Sequence, residues 1–113
     1  MDDRLPAHLE ASGLLRRAEA VGGNGLIVAK GDPDRGSLVL LISHRGAHFA
    51  CLERGLGPSG HYVWRTVGPV AGTNPAELSQ WCANRRAFDA DSWLIELDVP
   101  LAERFVAETT AIG

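Results

Sequence analysis

Cysteine is scarce in this 113-residue chain: Cys51 and Cys82 stand alone, without the spacing of a zinc knuckle or a Cys-x-x-Cys redox pair. Two such cysteines read as free, packed thiols in a reducing compartment. Lysine is scarcer still, a single Lys30 among eleven basic residues, and fourteen acidic residues bring the net charge to −3. A negative chain lacks the basic surface that nonspecific nucleic-acid binding requires. Long apolar runs are missing as well. The longest, "LVLLI" from Leu38 to Ile42, falls far short of the ~20 residues that span a bilayer. The opening "MDDRLPAHLEASGLL" puts acidic residues where a signal peptide carries basic ones. These shortages predict a cytoplasmic protein with no membrane segment. Without repeat, low-complexity tract or linker, residues 1–113 read as a single globular domain.

What is present is a clear alternation of patterns. Ala7, Ala11, Leu14, Ala18 and Val21 form the stripe of an amphipathic helix, opened by Pro6 and stopped by "GGNG" at Gly22. Four strand candidates follow, "LIVAK", "SLVLLISH", "HFACLE" and "HYVWRTV". They are joined by the turn-rich "GDPDRG", "RG" and "RGLGPSG", and such short connections predict a four-strand antiparallel meander. The second strand is apolar on both faces and should be central. "NPAELSQWCANRR" is a helix with Asn74 as cap, Pro75 at its first position and Glu77 completing a capping box. Arg85 and Arg86 fall in its last turn, favourably placed against the helix dipole. "WLIEL" is a fifth strand, with Trp93, Ile95 and Leu97 on one face and Leu94 and Glu96 on the other. "PLAERFVAET" closes the chain as a short helix with Leu101, Phe105 and Val106 inward, and "TAIG" should fray. The order α-β-β-β-β-α-β-α is α+β: five strands, mostly antiparallel, packed with two main helices and a short C-terminal one.

Several chemistries fail on spacing. "DADSW" and "DPDRG" both contain Asp-x-Asp, but an EF-hand loop from Asp89 or Asp32 would need Gly at its sixth position and Glu at its twelfth. The chain has Leu94 and Pro100, or Ser37 and Ser43, there instead. Turn bonding by the aspartates explains both stretches better. His44, His48, Cys51 and His61 share the meander, yet a two-residue Arg45-Gly46 turn would pair His44 with Ala47 and send His48 to the other face. A three-residue turn ending at Gly46 would pair Ser43 with Ala47 and leave His44 at the tip, and only a loop of Arg45 to Ala47 would set His44 and His48 opposite each other. Glu96 and Asp98 would stand ~6.6 Å apart on an extended strand, a spacing open to paired-carboxylate chemistry. Asp98, however, sits where the closing helix needs a cap. Walker, dinucleotide-binding and nucleophile-elbow motifs are all missing from the sequence.

Three stretches taken together, "SGLLRRAEAVGG", "KGDPDRGSLVLLI" and "RRAFDADSWLIELDVPLAERFV", resemble the small bacterial, chiefly alphaproteobacterial, proteins grouped as domain of unknown function 1491. The resemblance covers nearly the whole chain. It implies a compact cytosolic single-domain protein and brings no activity, ligand or catalytic residue with it.

The preferred reading is a noncatalytic binding or protein-interaction module, with no cofactor, metal or catalytic residue assigned. A protein partner or a second copy would use an exposed sheet edge. The alternatives are a small-molecule or nucleic-acid binder with an arginine–aromatic face, and a small enzyme whose site the sequence does not reveal. Candidate binding residues are Arg85, Arg86, Asp89, Asp91 and Trp93, together with Tyr62 and Trp64 on one face of the fourth strand. The stretch from Arg85 to Asp98 also reads as a structural joint. Phe88 would end the helix's apolar side, Asp89 to Ser92 would reverse the chain, and Trp93 would enter the core.

Overall fold

The structure, a computed structural model, describes residues 5–111. The acidic pair Asp2 and Asp3 and the last two residues of the tail lie outside the described residues. Helix α1 (Ala7–Ala20) buries Ala7, Ala11 and Ala18, whose small side chains let it lie close to the sheet. Its first N–H groups find partners in a distant loop: Ala7 and His8 donate to the carbonyls of Asp34 and Pro33 at 3.1 and 2.9 Å. Gly22, at φ +86°, ends it as expected.

Strands β1 (Asn24–Ala29), β2 (Leu38–His44), β3 (Ala47–Leu56) and β4 (Tyr62–Val67) precede α2 (Pro75–Phe88). Strand β5 (Trp93–Asp98) and α3 (Ala102–Thr110) complete the order read from the sequence. The sheet runs β1-β5-β2-β3-β4, antiparallel except for the parallel pair β2 and β5. The meander therefore has three strands, not four. β5 is inserted between β1 and β2 because it is apolar on both faces, and only an interior position covers both. β1 alternates between exposed and half-buried residues, which suits an edge. β2, buried from Leu38 to Ser43, holds the middle as predicted.

Helices cover both faces. Under α1 and α3 lie Leu38, Leu40, Ile42, Leu52, Trp93, Ile95 and Leu97. Under α2 lie Val39, Leu41, Cys51 and Leu94, met by Leu78, Trp81 and Cys82. α2 starts on the predicted cap: Asn74 Oδ1 accepts from the Glu77 N–H at 2.8 Å, and Glu77 Oε1 accepts from the Asn74 amide at 3.1 Å. Its Trp81 ring packs on Gly68, which sits at φ +65° where a Cβ would strike the indole. The β2–β3 turn is the two-residue form, with Arg45 and Gly46 at φ 51° and 80°. A bulge beside it leaves Phe49 without a cross-strand partner.

Three apolar residues are misplaced by the sequence reading. Val21 follows α1 as its C-cap and is exposed. Phe88 is 86% exposed: the packed stripe of α2 ends at Arg85, and the helix's last residue lies beyond the apolar cluster. Leu101 is 68% exposed because it reverses the chain at φ 53° before α3, leaving Phe105 buried and Val106 packed on the core.

Candidate functional site

The candidate residues fall into two groups. Arg85, Arg86, Asp89, Asp91 and Trp93 form a joint that ties α2 and β5 to the β1–β2 loop. Asp89 Oδ1 accepts from the Asp91 N–H at 3.0 Å, and its carbonyl accepts from the Ser92 hydroxyl at 2.7 Å. Arg86 donates to the carbonyls of Ala90, at 2.7 Å, and Ser92. Arg85 instead pairs with Glu53 across the α2 face. Opposite stands the loop "GDPDRG". Asp32 Oδ1 accepts from the N–H groups of Asp34 and Arg35 at 2.9 and 2.8 Å. Those bonds, Arg35's first, hold its carboxyl below the ordinary carboxylate range. The Asp32 N–H donates to the Asp91 carbonyl at 2.9 Å, and the Trp93 indole donates to the Asp32 carbonyl at 2.7 Å. Gly31 and Gly36 both press on the Asp91 carbonyl, where a Cβ has no room. The Asp32 and Asp89 carboxylates and the Arg86 guanidinium thus bond backbone groups within the joint.

Tyr62 and Trp64 stand apart from the joint, on β4, and face α1 and α3. They line a pocket of about 420 Å³ with Arg17, Arg54, Glu108 and Thr109. The Arg54 guanidinium lies 5.4 Å from the Tyr62 ring centre and 5.7 Å from that of Trp64, and it pairs with Glu10 of α1. Arg17 stacks 4.1 Å from the Phe105 ring centre. The sequence reading missed Glu10, Glu108 and Thr109, but Arg54 left a signal. It stands two residues after buried Leu52, on the core-facing side of β3, where a solvated arginine is out of place. The arginines do not make one face. Arg65 neighbours Trp64 in sequence and so points to the opposite side, and it donates to the Leu56 carbonyl at 3.0 Å.

A model of the family described as "Protein of unknown function (DUF1491)" matches residues 5–107. The chain belongs to this family. A crystal structure of a DUF1491 family protein from Caulobacter crescentus CB15 is similar, with a TM-score of 0.71 and 21% identity over 82% of this chain and 86% of that one. An NMR structure of a DUF1491 family protein from the same organism gives 0.72 and 23% over 87% and 88%. Protein Atu0922 from A. tumefaciens gives 0.67 and 23% over 86% and 87%. At these identities the likeness is one of fold. No curated protein matches.

Two of the stretches that carry the DUF1491 resemblance, "KGDPDRGS" and "RRAFDADSW", thus meet in space at the joint. The remaining chemical candidates separate. His44 Nδ1 lies 3.1 Å from the Val99 carbonyl, while His48 Nε2 lies 2.9 Å from the Pro69 carbonyl and 3.9 Å from Cys51 Sγ. A His48 proton held by Pro69 leaves that nitrogen no lone pair for the thiol. Burial pushes the Cys51 thiol up to about 12, with Cys82 adding to it, and Cys82 is raised by burial and by Glu96. Both are free thiols of low reactivity. Among the described residues no cluster of three or more His, Cys, Asp or Glu side chains is placed to hold a metal ion. Asp98 does not cap α3. Its two oxygens accept from the Arg45 and Gly46 N–H groups at 2.9 and 2.8 Å and so hold the β2–β3 turn. Among the described residues, no helix is long and apolar enough to cross a membrane.

Proposed function

We propose that this DUF1491 protein is a noncatalytic binding module, a single domain that takes a small molecule in the pocket walled by Arg17, Arg54, Tyr62 and Trp64. The observation that carries the reading is convergence. Side chains from α1, β3, β4 and α3 meet around about 420 Å³, within the span of small-ligand pockets, with aromatic walls and a few polar groups. The lining offers cations, π faces, one carboxylate and two hydroxyls, a set suited to holding a ligand more than to moving protons. Two free cysteines suit a reducing, cytoplasmic setting. Native mass spectrometry of the purified chain, beside Trp64→Ala, tests the reading. A bound small molecule retained by the parent and lost by the variant supports it; equal retention by both places the ligand elsewhere.

The edge of the sheet favours one second reading. β1 is uncharged from Asn24 to Ala29, and Leu26, opposite exposed Glu96 on the α2 face, is 61% exposed, with Val28 also exposed. An uncharged apolar edge invites strand addition by a protein partner or a second copy. Light scattering across a concentration series, with Val28→Lys as control, reads self-association directly. A strict monomer that recruits no strand peptide removes this reading.

A further inference from the structure

We infer that the ligand of this pocket is a flat aromatic anion, an aryl carboxylate or aryl phosphate, its charge held by Arg17 and its ring laid against Trp64 and Tyr62. The inference rests on the reading of the pocket as a binding site and adds the chemistry of what fills it. The charges decide the sign. Arg54 is matched by Glu10, and Glu108 by Arg104, whose Nε lies 2.8 Å from its Oε1. Arg17 makes no ion pair among the described residues; its guanidinium lies over the Phe105 ring. Among the described residues the pocket therefore carries one cation in surplus. A guanidinium stacked on a ring keeps its N–H donors in its own plane, pointing sideways, and that planar fork fits a carboxylate or phosphate. Arg17 also lines the adjoining pocket of about 320 Å³ with Phe105, so its donors stand between two concavities. Across the first of these, Tyr62 and Trp64 supply π faces that suit a planar partner. Arg54 lies beside both rings and already pairs with Glu10.

The test uses the full chain and three probes of one shape: 2-naphthoate, 2-naphthyl phosphate and the neutral 2-naphthamide. The readout is the indole N–H resonance of Trp64, assigned with Trp64→Phe. One or both anions should shift it saturably, with the amide at least tenfold weaker, and the stronger anion names the ligand class. Arg17→Gln should bring anion and amide to equal affinity. Arg17→Lys, which keeps the charge but loses the fork, should fall between and guards against a fold defect in the first variant. If the amide binds as well as the anions and still moves Trp64, the pocket stands and the charge assignment is overturned. If no probe moves Trp64, the pocket reading fails and this inference with it.

Discussion

Replacing Trp93 by alanine tests the joint most severely. The ring is 4% exposed, belongs to the core cluster under α1 and α3, and spans from β5 to the Asp32 carbonyl. Removing a buried tryptophan costs ~3–5 kcal/mol through lost transfer energy and the cavity left behind. The lost indole hydrogen bond adds about 1 kcal/mol, moderated because Asp32 is only half-buried and water can reach it. Against a total stability of about 5–15 kcal/mol, that is a large fraction. With a urea slope of roughly 1.5 kcal/mol/M, a loss of about 4 kcal/mol moves the midpoint down by ~2–3 M. Trp93→Phe keeps most of the apolar volume and loses the bond, so its shift should be less than half as large. Urea unfolding followed by far-UV circular dichroism measures both variants beside the parent. An unchanged midpoint for Trp93→Ala would refute the joint, and equal losses for both variants would refute the division between packing and hydrogen bond.

Gly31→Ala should destabilise by ~2 kcal/mol or more, because a Cβ there meets the Asp91 carbonyl backbone and no side chain can swing away; thermal unfolding reads it against the harmless Gly13→Ala, where the space is open. Gly68→Ala should cost about 1–3 kcal/mol through its positive φ and the Trp81 ring, and hydrogen exchange should quicken in α2 while α1 keeps its protection. Folded chain should leave Cys51 unmodified by iodoacetamide at pH 8, whereas chain unfolded in urea should react at both cysteines. The sign follows from the raised folded value: the Cys51 contribution to stability is whole below the ordinary thiol value of 9.0 and fades as pH climbs through about 12. Rapid labelling of native Cys51 would contradict its burial.

Much of the fold was legible because its signals are local. Asn74, Pro75 and Glu77 announce a helix start within four residues, and Arg45-Gly46 announces a hairpin turn whose two-residue length the backbone angles then fix. The strand neighbours were not legible in the same way, since pairing is chosen by residues far apart in sequence. One clue was available: Trp93, Leu94 and Ile95 are consecutive apolar residues, and a strand covered on both sides cannot lie at an edge. Phe88 and Leu101 misled for the opposite reason. Residue type and periodicity do not show where a neighbouring cluster stops or where the backbone turns left-handed. Of the candidate site, Tyr62 and Trp64 were found through strand parity. Glu108 and Thr109 were not, because only the docking of α3 beside β4 brings them there. At the joint, sequence displays the charges of Asp89 and Arg86 and hides the backbone groups that they bond.

The insertion of β5 has a consequence during synthesis. When a ribosome has made everything up to Phe88, β2, β3 and β4 have their mutual partners, but β1 still lacks β5, the only strand that flanks it in the sheet. The 64 residues from Lys30 to Trp93 take roughly 3–13 s to add at about 5–20 residues per second. Throughout that interval Leu26, Ile27 and Val28 stand in the nascent chain as an uncharged, unpaired strand. Messages truncated before Trp93 should therefore yield aggregates or proteolytic fragments in place of a smaller folded species, and the chain's dependence on chaperones should fall in the seconds before its last strand appears.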